Sequence, residues 1–457
     1  MKRWRRDCLI AVFAVLLIST PVAGQNPPTP ERYADWSTPP FASGEYSLRR
    51  QRLLSEIQQA GGGLLLIPSA TGITNGETFR QADDFFYFTG LEFPRSILVF
   101  DADRSRAVLF APRNDFRFDN PDRPNDFPGR PLGDDPSISA EAGMLDIRPF
   151  ELLAEYLEQA LQRGAVLRIN LGSTVSDVPV DPFLSWTPEL NLLRYLRVTI
   201  PEISVADAQL EIASVRMFKS DAELEKLRLA AALTANGIMA AAAFVRQNMD
   251  ERGLEAEFEA SCKRGGSQRL SFSSIIKSGP NSLWPWRILA AHYDRRNRVL
   301  QDGDLVIFDV GCELDSYVSD VGRTFPVSGS FTERQKEILE MVTAVSDSII
   351  ANIQPGATFT ELMEVARRNI PEEHQRYMQA GMFFGHHLGL SAGDPSLPER
   401  PLEPGMVFTV EPWYYNHDEN IAVFIEDVVA VTSTGAEVFT ERLPRRPEDL
   451  ERMVRLR

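Results

Sequence analysis

The chain has 457 residues, a formal net charge of −16, and 43% hydrophobic against 25% charged residues. That length exceeds one ordinary core, so two domains are expected. The acidity argues against nucleic acid and against anionic membrane surfaces as partners.

At the N-terminus Lys2, Arg3, Arg5 and Arg6 precede an apolar run over residues 9–18, and Val22, Ala23 and Gly24 follow. A basic stretch, a short apolar core and a small-residue cleavage site together read as a secretory signal peptide, residues 1–24. The competing reading is an uncleaved anchor, but the run is too short to span a bilayer. Arg5-Arg6 also fits a twin-arginine signal. The expectation is therefore a periplasmic or secreted protein with no stable membrane anchor after cleavage. Four positive charges and one negative leave with the signal, which takes the net charge from −16 to −19. Cys262 and Cys312 remain. They could form one disulfide, but Cys312 sits inside a hairpin pattern, which favours two buried thiols.

Residues 25–45 are Pro-rich and polar and read as a disordered spacer. Leu48, Leu53, Leu54 and Ile57 suit a short helix that stops at the three glycines 61–63. A buried strand over 64–67 and a hairpin over 96–100 and 107–110 follow. Residues 113–136 are dense in Pro, Asp, Asn and Arg and read as a long surface loop. A helix over 150–161 and a strand over 166–171 complete an α/β domain, residues 46–203. It holds no cysteine and no histidine. Its expected role is to position or cover rather than to do chemistry.

Beyond Pro201, Ser220 and Glu223 form a capping box that opens a long helix to about residue 247. A helix over 254–263, a strand over 271–277 and a segment 288–293 containing His292 come next. Helices over 332–353 and 359–368 precede strands near 384–390, 406–411 and 421–431. Strands and helices segregate here, so residues 204–457 read as an α+β domain.

Five side chains in this half point to chemistry. Asp309 and Asp320 lie on the two arms of a hairpin, residues 303–324, where like charges repel unless something neutralises them. His386 stands among glycines, Glu411 precedes Pro412, and Glu426 interrupts an apolar run, where an unpartnered carboxylate is costly. Taken singly, each has a bland reading as a turn aspartate or a structural histidine. Taken together they make a cage of hard oxygens with one nitrogen. Such a set suits manganese, zinc, cobalt or iron, and four carboxylates suggest two ions.

On these residues the second half resembles the pita-bread metallopeptidases: aminopeptidase P, prolidase, methionine aminopeptidase and the metal-free creatinase. The matching segments are 305–326, 385–390, 403–412 and 425–427. The first half resembles the aminopeptidase P companion domain through residues 79–90, which methionine aminopeptidase lacks. The resemblance implies that Asp309, Asp320, His386, Glu411 and Glu426 hold two divalent metals, manganese first among them. It further implies a metal-bridging hydroxide attacking a peptide carbonyl, with Glu411 as proton acceptor and His292 hydrogen-bonding the intermediate. The implied substrate is a short peptide, cut as by an Xaa-Pro aminopeptidase, and the implied assembly is a homo-oligomer, dimer or tetramer. Three positions depart from the family pattern around the substrate: Met382 and Gly393 replace histidines, and Phe424 replaces an arginine. His387 or His417 could supply a missing imidazole, although packing and surface roles suit them better. The departures keep two alternatives open, a non-catalytic or weakly active peptide-binding protein and a prolidase-type dipeptidase.

Overall fold

The computed structural model describes residues 39–72, 79–92, 94–113, 136–144, 146–172, 187–200, 203–283, 297–378, 384–397 and 400–455. The expected signal peptide, the long loop over 113–136, the segment carrying His292, and Met382 therefore lie wholly or almost wholly outside the described residues. Among the described residues no helix is long and apolar enough to cross a membrane.

The first half is built on a six-stranded mixed sheet in the order β4-β3-β2-β1-β5-β6. Its strands are β1 (Leu64–Pro68), β2 (Ile97–Asp101), β3 (Arg106–Ala111), β4 (Ile147–Pro149), β5 (Leu167–Ile169) and β6 (Val205–Asp207). Side chains alternate across a strand, and β1 shows the result. Leu64 and Leu66 join a core with Leu157 and Leu193, from the helices Leu153–Gln162 and Pro188–Thr199. Leu65 and Ile67 face the other way, into a core that holds Leu53, Phe85 and Phe88 and continues into the second half. Both faces are covered, which is why β1 is apolar throughout. Two expected boundaries shift. The first helix, Ser43–Gln59, begins inside the segment read as spacer. β6 pairs with β5, so the first sheet runs past residue 203.

The second half carries its long helix at Asp221–Ala242, opened by the expected Ser220–Glu223 capping box. Its strands are β7 (Arg269–Leu270), β8 (Ile275–Ser278), β9 (Leu305–Val310), β10 (Cys312–Leu314), β11 (Tyr317–Val318), β12 (Val321–Pro326) and β13 (Phe384–His387). β14 (Val407–Val410), β15 (Trp413–Asn416), β16 (Ile421–Phe424), β17 (Asp427–Val431) and β18 (Ala436–Val438) complete it. They form small sheets, β12-β9-β8, β13-β14-β17-β18, β11-β10-β7 and β15-β16.

The hairpin read as one unit is two. β9 and β12 pair in one sheet, while β10 and β11 form the tip in another, closed by Asp315 and Ser316, both at positive φ. The switch falls at Gly311, where a Cβ would collide with the Ser319 carbonyl. Asp309 therefore faces Gly322 rather than Asp320, and Asp320 sits two residues before Gly322, just past the last pair of the ladder. The apolar run over 421–431 likewise breaks at Ile425-Glu426, between β16 and β17.

Cys262 and Cys312 form a disulfide, contrary to the expectation of two thiols. The helix Glu251–Arg264 packs its buried face, including Cys262, beside β10, so being inside the hairpin does not keep Cys312 from a partner. Closing a loop across 50 residues restricts the unfolded chain. Replacing both cysteines by serine should cost about 2–4 kcal/mol in denaturant unfolding. A loss within error would mean that the bond carries no stability.

Candidate metal centre

Asp320, His386 and Glu426 each offer a ligand atom, and these atoms all lie within 4.8 Å of one another. His386 Nε2 stands 3.3 Å from Asp320 Oδ2. Three separate chain segments meet to make this group. Asp320 comes from the switch between the two hairpins, His386 from β13, and Glu426 from the break between β16 and β17. Glu426 exchanges both backbone hydrogen bonds with Gly322, the residue opposite Asp309, which draws Asp309 into the same place.

The polar atoms here are buried and unsatisfied. Among the described residues, Asp320 Oδ1, His386 Nδ1 and both carboxylate oxygens of Glu426 find no hydrogen-bond partner outside this group. The neighbouring Asp427 makes the contrast plain. Its Oδ1 accepts from Arg323 and from the Thr440 hydroxyl, each at 2.6 Å, and Arg445 forms an ion pair with its Oδ2 at 3.4 Å. Arg323 reaches the Glu426 backbone carbonyl at 2.7 Å. No contact joins it to the Glu426 side chain among the hydrogen bonds and ion pairs of the described residues.

Titration follows from that isolation. Burial, then the charges of Asp320, Glu411 and Asp309, push the Glu426 carboxyl well above its usual range. Burial and the Glu411 charge do the same to Asp320. Glu411 is raised by burial, partly offset by His386. Asp309 and Glu411 thus act on the carboxylates of the group, while the ligand atoms that meet within 4.8 Å are those of Asp320, His386 and Glu426. A buried group of orphaned carboxylates beside one imidazole fits divalent cations of the manganese or zinc type.

Glu411 is held on both oxygens. Thr409 Oγ1 donates to Oε1 at 3.3 Å, and Trp413 Nε1 donates to Oε2 at 3.3 Å. Gly385 makes this possible, because a Cβ there would overlap both Glu411 Oε1 and Thr409 Oγ1. Thr409 and Trp413 were missed in the sequence. Their signal was present, since residues 409, 411 and 413 alternate onto one side of an extended chain.

The residues that depart from the family pattern have different surroundings. Phe424 is fully buried and stacks on Trp413, with ring centroids 3.4 Å apart. Gly393 borders a cavity of about 550 Å³ whose wall also includes Arg80, Asp83, Asp84, Glu189 and Arg216. A Cβ added at Gly393 would meet open space. Asp394 is a buried anchor, paired with Arg216 and with Lys219 at 2.9 Å. His387 points away from His386 along β13 and packs against Phe359 and Phe408. Burial and Lys219 push its pKa down to about 3, so its role is packing. His417 is exposed.

Comparison with known proteins bears on the family of the chain. Residues 225–433 match metallopeptidase family M24, and residues 46–166 match the aminopeptidase P N-terminal domain. The chain joins an M24 metallopeptidase domain to an aminopeptidase P N-terminal domain. The Xaa-Pro aminopeptidase of Escherichia coli is 29% identical over 447 residues, covering 90% of this chain and 97% of that protein. Proline aminopeptidase P II from Yersinia pestis superposes with a TM-score of 0.75 at 25% identity, over 91% of this chain and all of the other. Zinc-substituted Escherichia coli aminopeptidase P in complex with product gives a TM-score of 0.73 at 27% identity, over 91% of this chain and 98% of its own. The α/β first half and the pita-bread second half are thus those of aminopeptidase P, and M24 proteins typically bind two divalent metals.

A carboxyl held above its ordinary range keeps its proton longer in the folded chain than in the unfolded one. Its contribution to stability is complete below the ordinary carboxylate range and is lost as pH rises through the raised value. In chelator, Glu426→Gln should therefore melt above the unsubstituted protein at about pH 8, with the gap closing toward about pH 4. The same substitution should remove the thermal shift produced by added manganese or zinc. A melting curve that responds to metal as before would contradict the assignment of Glu426.

Proposed function

We propose that this protein is an exported, dinuclear-metal peptidase of the Xaa-Pro aminopeptidase type that acts on short peptides. The observation that carries the reading is the convergence of Asp320, His386 and Glu426 within 4.8 Å, with buried oxygens that no other described residue satisfies. Asp309 and Glu411 complete the ligand set. Bound divalent cations, manganese first among them, would supply Lewis acidity and make water nucleophilic near neutral pH. Around them the chain's own groups orient and move protons. Glu411, fixed on both oxygens, is the proton acceptor, a role open to a carboxylate held beside the reacting water. His292 is assigned the hydrogen bond to the reacting carbonyl oxygen. The cavity beside Gly393 receives part of the peptide.

Two features support export. The first 24 residues have the pattern of a signal peptide, and a disulfide suits an oxidising compartment. Oligomerisation, dimer or tetramer, is part of the same reading. The open space at Gly393 and the apolar Phe424 favour a substrate preference wider than strict Xaa-Pro, including the dipeptides taken by prolidases.

The test is a peptide panel on the mature protein loaded in turn with manganese, cobalt and zinc. Peptides with proline in second place should lose their N-terminal residue in a metal-dependent way, with proline-free controls slower. Asp320→Ala should abolish both turnover and metal retention. No cleavage of either peptide set with any metal would defeat the reading. Release from the C-terminal end instead would reassign the specificity.

A further inference from the structure

Trp413 lies two residues past Glu411, on β15, and is completely buried. Its indole packs against two rings. Phe424, its direct cross-strand partner, stacks on it at 3.4 Å and 21°, and Tyr415 lies at 5.3 Å and 26°. Phe424 is itself fixed. Its backbone N–H donates to Thr324 Oγ1 at 2.8 Å, the Thr324 hydroxyl donates to its carbonyl at 2.9 Å, and Gly322 leaves no room for a Cβ beneath its ring. Packed against these rings, the indole directs its N–H to Glu411 Oε2 at 3.3 Å.

From this geometry we infer that Trp413 is a positioning residue of the metal centre, with the Trp413–Phe424 stack setting the direction in which Glu411 presents its carboxylate. The inference rests on the metal-centre reading above and adds a determinant of it. Thr409 Oγ1 holds the other oxygen and also accepts the backbone N–H of His386 at 3.3 Å. Glu411 is therefore gripped from two sides, and the Thr409 grip runs directly into the strand that carries the histidine ligand. Partners that orient a ligand typically govern metal affinity or activity by roughly 10- to 100-fold. Phe424, which stands in place of the family's arginine, acquires a use here. It gives up a charge near the site and serves as the plate against which the indole is fixed.

Trp413→Phe keeps an aromatic ring in the stack and removes the N–H. Titration of the metal-free protein with manganese by calorimetry should show affinity falling by roughly 10- to 100-fold. Where peptides are turned over, kcat should fall with KM little changed, because the substrate does not touch the indole. The melting temperature in chelator should stay within a few degrees of the unsubstituted protein. Unchanged metal affinity together with unchanged kcat overturns the inference. If Trp413→Phe does not fold, Phe424→Leu decides, since it retains the N–H but frees the ring. A loss of metal affinity of about fivefold or more supports the inference, and an unchanged affinity overturns it. If the unsubstituted protein binds manganese but cleaves no peptide, the proposed activity fails while the calorimetric comparison still decides this point. If it binds no metal, both fall together.

Discussion

The repulsion among carboxylates that folding forces out of water governs this molecule. Elsewhere in the second half such charges are answered from within the chain. Asp427 has Arg323, Asp394 has Arg216 and Lys219, and Glu313 has Arg80 and Arg269. Among the described residues no guanidinium forms an ion pair with Asp320 or Glu426, although Arg323 passes close enough to bond the Glu426 backbone. Where the described residues supply cations for three buried acids and none for these two, the place suits a cation from outside.

Much of this was legible in the sequence, and the reasons differ by element. Capping boxes at Ser220 and Thr332 mark helix starts because they are local chemistry, independent of the rest of the fold. β1 and β14 show as apolar runs because both of their faces are covered. Glu426 stood out because an acid inside such a run needs an explanation, and the structure supplies one as a break in the strand. The break itself was hidden, since Ile425 is as apolar as its neighbours and composition carries no mark of a change in sheet.

What escaped was set by tertiary context. The helix Pro447–Arg455 was not expected, and neither was the assignment of β6 to the first sheet, because three residues of strand have no period to read. The disulfide depends on how the helix Glu251–Arg264 lies beside β10, which spacing alone does not give. The supports of Glu411 were within reach of a period-two reading of residues 409–413. A tryptophan beside an acid is nevertheless ordinary core material until its N–H is seen to have a carboxylate oxygen in range.

The ion pairs that join the two halves have a further meaning. Arg80 and Asp84 belong to the first half, yet Arg80 is bound to Glu313, at the tip of the hairpin that carries Asp309 and Asp320, and Asp84 to Arg216 at 2.6 Å. Removing the first half would leave the second with every residue of its centre and a buried Glu313 short of one of its two guanidinium partners. The two halves are therefore hard to separate. Exchanging halves between relatives preserves the fold only where both sides of these pairs travel together, so the pairs that cross from one half to the other act as a compatibility code for the whole chain.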